Sequence, residues 1–294
     1  IYNAYLIRAS AYVNLDDKGR ALRDYDYVIE HSPKTKNASI ALQRSGQLLW
    51  LTKKTEDATV RFQTLLKDYP ELPKKVRAYV EYMVGRGKFK EKKYKQGIKS
   101  FDASLELDAV TFRKQIAMYR VIGYFTLREV KGTMESLKLA KNAGIEKKIP
   151  LNVYRWLGGE YYNNEEYVKS AEYLRKGVER GKPDATPLTI WRILSKAQYK
   201  AGLYNDAFLT VSLLLDMEDD KAKKVDSLLD KAKIEVALGK TGDSKITAES
   251  ALEMNPTGKT QAELLKVLGD FYFMIGEPRE AAARYVLLVD QASE

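Results

Sequence analysis

Eight small residues punctuate the chain at a nearly constant interval: Ala9, Gly46, Gly85, Gly123, Gly158, Ser195, Ala232 and Gly269 follow one another at spacings of 37, 39, 38, 35, 37, 37 and 37 residues. A period of this length is the mark of a repeat architecture and outranks local secondary-structure signals. Twelve residues beyond each stand Ala21, Ala58, Gly97, Glu135, Ser170, Ala207, Ser244 and Ala281, small in seven cases of eight. Four further on come Tyr25, Phe62, Phe101, Leu139, Leu174, Val211, Ala248 and Tyr285, all apolar. Four before the first set lie Tyr5, Leu42, Glu81, Tyr119, Tyr154, Trp191, Leu228 and Leu265, where Glu81 alone is not bulky and apolar. Residues four apart share one helix face, so every unit predicts two helices. Their small residues let the helices approach closely while the bulky ones fill the space opposite. Turn signals such as Asn14-Leu15-Asp16-Asp17, Asn163-Asn164, Gly202 and Gly276 separate the two helices, and Pro33, Pro70, Pro183 and Pro256 close units because proline cannot continue a helix. Eight such units account for all 294 residues as a single domain, 1–294.

The order bulky, small, aromatic, turn, Gly-x-Tyr, Ala, aromatic, Pro resembles the tetratricopeptide repeat, a helix-turn-helix unit with a period of about 34 residues. The clearest copies are Trp191-x-x-Leu194 with Gly202-Leu203-Tyr204 and Ala207, Tyr154-x-x-Leu157-Gly158-x-x-Tyr161 with Tyr167 and Ser170, and Leu265-x-x-Leu268-Gly269-x-x-Tyr272 with Ala281 and Tyr285. The resemblance implies an all-α, right-handed superhelical solenoid of about eight repeats, near residues 2–35, 39–72, 78–111, 116–149, 151–184, 188–221, 225–258 and 262–294. The stretch from Ala58 to Phe62 followed by Leu65-Leu66-Lys67-Asp68-Tyr69-Pro70 is similar to the lengthened repeats of bacterial cell-envelope proteins, among them outer-membrane assembly and cell-division coordinators. That likeness implies a periplasmic or otherwise extracytoplasmic bacterial protein, with the cytoplasm as the alternative, and the lack of cysteine is consistent with it.

Composition removes several chemistries. With no cysteine there are no disulfides, thiolate metal sites or cysteine nucleophiles, and the single histidine, His31, excludes any site needing two imidazoles. His31 precedes Pro33 and reads as a helix-end histidine, favourable at the negative helix terminus. Gly239-Lys240-Thr241 and Gly258-Lys259-Thr260 end like a phosphate-binding loop, but Ile234 and Glu253 stand where its first glycine belongs. Asp216, Glu218, Asp219 and Asp220 lack the glycine and terminal glutamate of a calcium loop. Asn37-Ala38-Ser39 matches a glycosylation acceptor, a pattern too common to carry weight. No catalytic residue, cofactor or metal site is expected, and no uncharged apolar run is long enough to span a membrane.

A repeat array of this kind is expected to bind. In the family it resembles, the second, fifth, ninth, twelfth and thirteenth places of each unit face the ligand along a concave groove. In the third to sixth units those places hold Tyr79, Tyr82, Arg86, Phe89 and Lys90; Ala117, Arg120, Tyr124, Leu127 and Arg128; Asn152, Arg155, Gly159, Tyr162 and Asn163; and Thr189, Arg192, Lys196, Tyr199 and Lys200. No acidic residue is among them. Arg120, Arg155 and Arg192 recur at one place, which predicts a ladder of guanidinium groups suited to carboxylate or phosphate, with tyrosines supplying flat surfaces between them. The expected partner is an acidic or extended peptide held by Tyr82, Arg86, Arg120, Tyr124, Arg128, Arg155, Tyr162, Asn163, Arg192, Lys196 and Tyr199. Reversing Arg120, Arg155 and Arg192 to glutamate is expected to abolish that binding with helicity and melting unchanged. The clamp that some members use for chaperone tails is not matched, since its paired places read Leu6 and Ser10, Gln43 and Gln47, or Tyr82 and Arg86.

Charge is uneven. The chain carries +10 overall, and residues 74–99 alone hold ten Lys or Arg against Glu81 and Glu91. This block, centred on Arg86 to Lys95, offers a surface for an anionic membrane, nucleic acid or an acidic protein patch. A polyanion, RNA or acidic polysaccharide, is therefore the alternative partner class. Ile1, with no methionine or leader before it, is expected to mark a processed protein or an excised piece. The first unit has Arg8 where a stacked neighbour favours an apolar residue, whereas Tyr285, Leu287, Leu288 and Val289 at the other end call for cover, including by a second copy of the chain.

Overall fold

The computed structural model describes residues 1–179 and 185–291, so Pro183, expected to close the fifth repeat, lies outside the described residues. Among those described are sixteen α-helices and no strand. They are α1 (Tyr2–Asn14), α2 (Lys18–His31), α3 (Lys36–Leu51), α4 (Thr55–Asp68), α5 (Lys74–Lys90), α6 (Tyr94–Leu107), α7 (Arg113–Thr126) and α8 (Val130–Asn142), then α9 (Leu151–Asn163), α10 (Tyr167–Glu179), α11 (Leu188–Lys200), α12 (Tyr204–Met217), α13 (Lys221–Ala237), α14 (Thr241–Glu253), α15 (Gly258–Met274) and α16 (Pro278–Gln291). The residues divide into two compact units, Ile1–Ile149 and Pro150–Glu294, each of four helix pairs. Within each unit a helix packs on its pair partner and, through the second helix of the pair, on the first helix of the next.

The small residues do what their spacing predicts. A Cβ added at Gly46 would lie 2.9 Å from the Phe62 ring, one at Gly85 2.6 Å from the Phe101 ring, one at Gly158 3.0 Å from the Leu174 backbone nitrogen, and one at Gly269 2.6 Å from the Tyr285 ring. In every case the neighbour comes from the partner helix, sixteen residues on. Serine hydroxyls also bond to the partner helix's backbone at this crossing. Ser170 Oγ donates to the Gly158 carbonyl at 2.8 Å, Ser244 Oγ to that of Ala232 at 2.9 Å, and Ser195 Oγ to that of Ala207 at 3.3 Å.

The turn inside each pair repeats as faithfully. Seven residues after the small one, or five in the fourth pair, stand Asp16, Lys53, Lys92, Arg128, Glu165, Gly202, Gly239 and Gly276, all with left-handed backbone at φ between 57° and 79°. The next residue's N–H donates to the carbonyl five back, as Lys54 does to Leu49 at 2.9 Å and Leu203 to Gln198 at 2.8 Å. This closure satisfies carbonyls at the end of the first helix. Glycine meets the left-handed requirement without strain, whereas any side chain there costs about 1–2 kcal/mol.

The turn also corrects the register of the fourth pair. Counting back from Arg128, the small place falls on Val121 and its partners on Thr133 and Leu137, in place of Gly123, Glu135 and Leu139. Gly123 is small for another reason: a Cβ there would lie 2.7 Å from the Phe89 ring and 3.0 Å from Ile98, both of the preceding pair. Several repeat boundaries shift too. α3, α5, α7, α13 and α15 begin three or four residues before the expected starts at 39, 78, 116, 225 and 262. In α3, α5, α13 and α15, of 16 or 17 residues against 13 for α9 and α11, the surplus over a 34-residue repeat is an extra N-terminal turn of the first helix.

The three arginines do not share one place in the register. Arg120 directly precedes its small residue, Val121, whereas Arg155 and Arg192 stand three before theirs, and Arg120 belongs to the first unit and the other two to the second. Each guanidinium is used internally. Arg120 pairs with Asp102 of α6, Arg155 donates to the Gly177 carbonyl at 3.3 Å and to Thr186 Oγ1 at 3.1 Å, and Arg192 pairs with Glu218, whose side chain is 4% exposed. Acidic residues are absent from the counted places, but they reach Arg120 and Arg192 from neighbouring segments.

Two substitutions test this packing. Gly158→Val is expected to destabilise the protein by about 1–3 kcal/mol through overpacking against Leu174. Gly159→Val, where a Cβ meets nothing within 4 Å, is expected to change stability by less than about 1 kcal/mol; urea unfolding followed by circular dichroism compares the two. Arg192→Glu, which sets a second carboxylate beside the buried Glu218, is expected to cost about 3–5 kcal/mol, visible as a lowered melting temperature. This replaces the expectation that charge reversal at these arginines spares the fold.

Candidate functional site

The remaining expected site residues fall into two groups. In the first unit, Tyr82 is a core residue, 7% exposed and stacked on Phe112 at 4.3 Å. That buries the ring expected to face a ligand. Arg86 lies between Trp50 and Tyr82, its guanidinium 4.5 Å and 5.5 Å from the two ring centres, and among the described residues it has no carboxylate partner. Tyr124 packs against Gly132 within its own helix pair and carries the Arg120 guanidinium at 5.7 Å. Arg128 occupies the left-handed turn place and lies over Phe125 at 5.1 Å.

In the second unit, Tyr162 meets Tyr167 edge-on at 5.6 Å, Lys200 lies 5.7 Å from the Tyr162 ring centre, and Asn163 is exposed at the end of α9. Lys196 pairs with Asp230 at 3.5 Å. Burial pushes the Asp230 carboxyl above the usual carboxylate range, against the pull of Lys196 and Lys233. Tyr199, one turn further along α11, is the expected residue that reaches a sizeable hollow.

That hollow is a cavity of about 720 Å³ lined by side chains of α11, α13, α14 and α15 and the α13–α14 turn. Its apolar wall is Val236, Val267, Phe271 and Met274. Val236 and Met274 are well exposed, at 48% and 59%. Its charged residues come in pairs of opposite sign: Lys233 with Glu263, and Lys266 with Asp270 at 3.0 Å. Asp270 also accepts from the Tyr285 hydroxyl at 2.7 Å, and the hydrogen bond from Lys233 holds the Glu263 carboxyl below its usual range. The cavity therefore combines an apolar wall with a rim whose charges cancel. Such a hollow accepts an apolar group and offers no net attraction to an acidic one. Among the described residues, no group of three or more His, Cys, Asp or Glu side chains is placed to hold a metal.

Several lining residues occupy the same counted places in the seventh and eighth units. Relative to Ala232 and Gly269 at the eighth place, Glu263 stands at the second, Lys266 at the fifth, Lys233 and Asp270 at the ninth, Val236 at the twelfth and Met274 at the thirteenth.

No family model and no curated protein matches the chain. Among solved structures, that of Naa15/Naa10 bound to HypK-THB matches with a TM-score of 0.52 at 15% identity over 91% of this chain, which spans 39% of that one. The C-terminal part of a TPR repeat-containing protein from Cytophaga hutchinsonii matches at 0.44 with 15% identity, covering 84% of this chain and 94% of that one. The TPR2AB domain of yeast Sti1, solved in complex with pHSP90, matches at 0.45 with 14% identity over 96% and 98% of the two chains. With seven of eight helix pairs crossing at Gly, Ala or Ser and eight left-handed turns in one register, the fold of this chain is that of the tetratricopeptide repeat.

Proposed function

We propose that the protein is a non-catalytic scaffold that holds an extended segment of a partner protein, and that the segment anchors an apolar side chain in the cavity between α13 and α15. The observation that carries this reading is the cavity itself, whose apolar wall includes the half-exposed Val236 and the exposed Met274 beside fixed, self-compensating charges. Burying a large apolar side chain there supplies binding free energy of about 1.5–3 kcal/mol, while the charged rim sets the register of the flanking residues. Selection for acidity, expected from the arginines of the third to sixth units, is not part of the proposal, because Arg120 and Arg192 are neutralised by Asp102 and Glu218. An extracytoplasmic place in a bacterial envelope belongs to the same proposal. It rests on the Ala58–Pro70 resemblance and the absence of cysteine, and cell fractionation tests it.

Display selection of random peptides on the wild-type protein tests the site. Enriched peptides are expected to share one large apolar residue and to lose at least tenfold in affinity, about 1.4 kcal/mol, for the Val236→Glu, Met274→Glu double variant. The variant's circular dichroism is expected to be unchanged, since neither residue is in the core. Peptides that bind both proteins equally would place the function elsewhere.

A further inference from the structure

Lysine and arginine occupy the left-handed turn place in three consecutive repeats, Lys53, Lys92 and Arg128, where three repeats of the second unit have glycine. The next residue, the N-cap of the second helix, is Lys54 and then Lys93, and neither makes a side-chain cap hydrogen bond. Asp17 at the same place in the first repeat does, accepting from the Arg20 N–H at 2.9 Å. Lysine is locally unfavourable at both places: at the first any side chain strains the left-handed backbone, and at the second a positive charge meets the positive end of a helix. In the second and third repeats the sequence accepts both disadvantages in succession.

These turns lie at one end of the helix pairs of the first unit. Across the second, third and fourth turns stand nine cations, Lys53, Lys54, Lys88, Lys90, Lys92, Lys93, Lys95, Arg128 and Lys131, against four acids, Glu56, Asp57, Glu91 and Glu129. Glu91 is already tied to Lys88 and Lys93, and Glu129 to Lys95. Lys53, Lys54, Lys90, Lys92 and Lys131 enter no ion pair among the described residues. The whole unit shares the bias: residues 1–149 hold 30 Lys or Arg against 17 Asp or Glu, while residues 150–294 hold 20 against 23.

We infer that this turn edge of the first unit docks on an anionic lipid surface, its lysines meeting headgroup phosphates and carboxylates. Two leucines on the same row of turns, Leu15 and Leu51, are 74% and 77% exposed, which suits insertion at the headgroup boundary. The aromatic rings a nucleic acid would need for stacking are engaged: Tyr94 lies edge-on to Phe89 at 5.2 Å, and Phe125 lies beneath Arg128. No described helix is long and apolar enough to cross a membrane. The edge belongs to the first unit and the peptide cavity to the second, so either reading stands or falls without the other.

Co-sedimentation with vesicles of phosphatidylcholine alone and of phosphatidylcholine mixed with phosphatidylserine tests it. The wild type is expected to partition onto the mixed vesicles only and to be released as salt rises. The Lys53→Gly, Lys92→Gly, Arg128→Gly triple variant is expected to lose about 100-fold in partitioning, about fivefold per cation. Its melting temperature is expected not to fall, because glycine relieves the left-handed turns. Leu51→Ser is expected to weaken vesicle binding further, and the Val236→Glu, Met274→Glu variant to bind vesicles as the wild type does. Equal binding to both vesicle types, or undiminished binding by the triple variant, overturns the inference. So does binding to polyuridylate with none to the mixed vesicles, which would make the edge a polynucleotide surface.

Discussion

The crossing of two helices at a residue too small to keep them apart is the contact on which the rest of this structure depends. Where Gly46, Gly85, Gly158 or Gly269 stands, a partner residue sixteen positions on occupies the volume a side chain would take. Close-packed interiors leave little slack, so the partner's size and the missing Cβ specify one another. With the crossing fixed, the length of chain between the helices is fixed too, and one turn geometry serves all eight repeats. Serine hydroxyls that donate across the crossing in three pairs replace a methyl contact with a hydrogen bond and keep the separation.

Much of this is legible from residue types alone, because a small residue, a second small one twelve on and a bulky one four beyond form a pattern that only a tight helix pair uses throughout. The fourth repeat shows where legibility ends. Val121 and Thr133 are not small enough to announce themselves, and the glycine two places later answers to Phe89 of the neighbouring pair. Sequence spacing registers that a residue is small; it does not say which neighbour requires it. The same holds for the turn, evident in Gly202, Gly239 and Gly276 and invisible in Lys53, Lys92 and Arg128, since a lysine side chain carries no mark of its backbone angle.

The candidate site is less legible than the fold for a different reason. Counting places along first helices shows which side chains share a face but not what approaches them. Asp102 reaches Arg120 from a second helix and Glu218 reaches Arg192 from the segment after one, and neither lies at a counted place. Tyr82, counted as a ligand contact, is claimed by Phe112 from the connection between two pairs. The cavity of the last two repeats, by contrast, is lined in part by residues at the counted places, Glu263, Asp270 and Met274 among them.

The partners at each crossing are only twelve to sixteen residues apart along the chain, which bears on how the protein acquires its structure. Closing so short a loop costs little conformational entropy, so each helix pair forms from local contacts and the relative contact order is low. Folding can begin in any pair and spread to its neighbours, as in other repeat arrays. During synthesis a pair is complete in the chain before the next one emerges, and the ribosome's pace is slow beside the time such a pair needs to close. The chain can therefore assemble in order from its first repeat, with little apolar surface waiting for a distant partner.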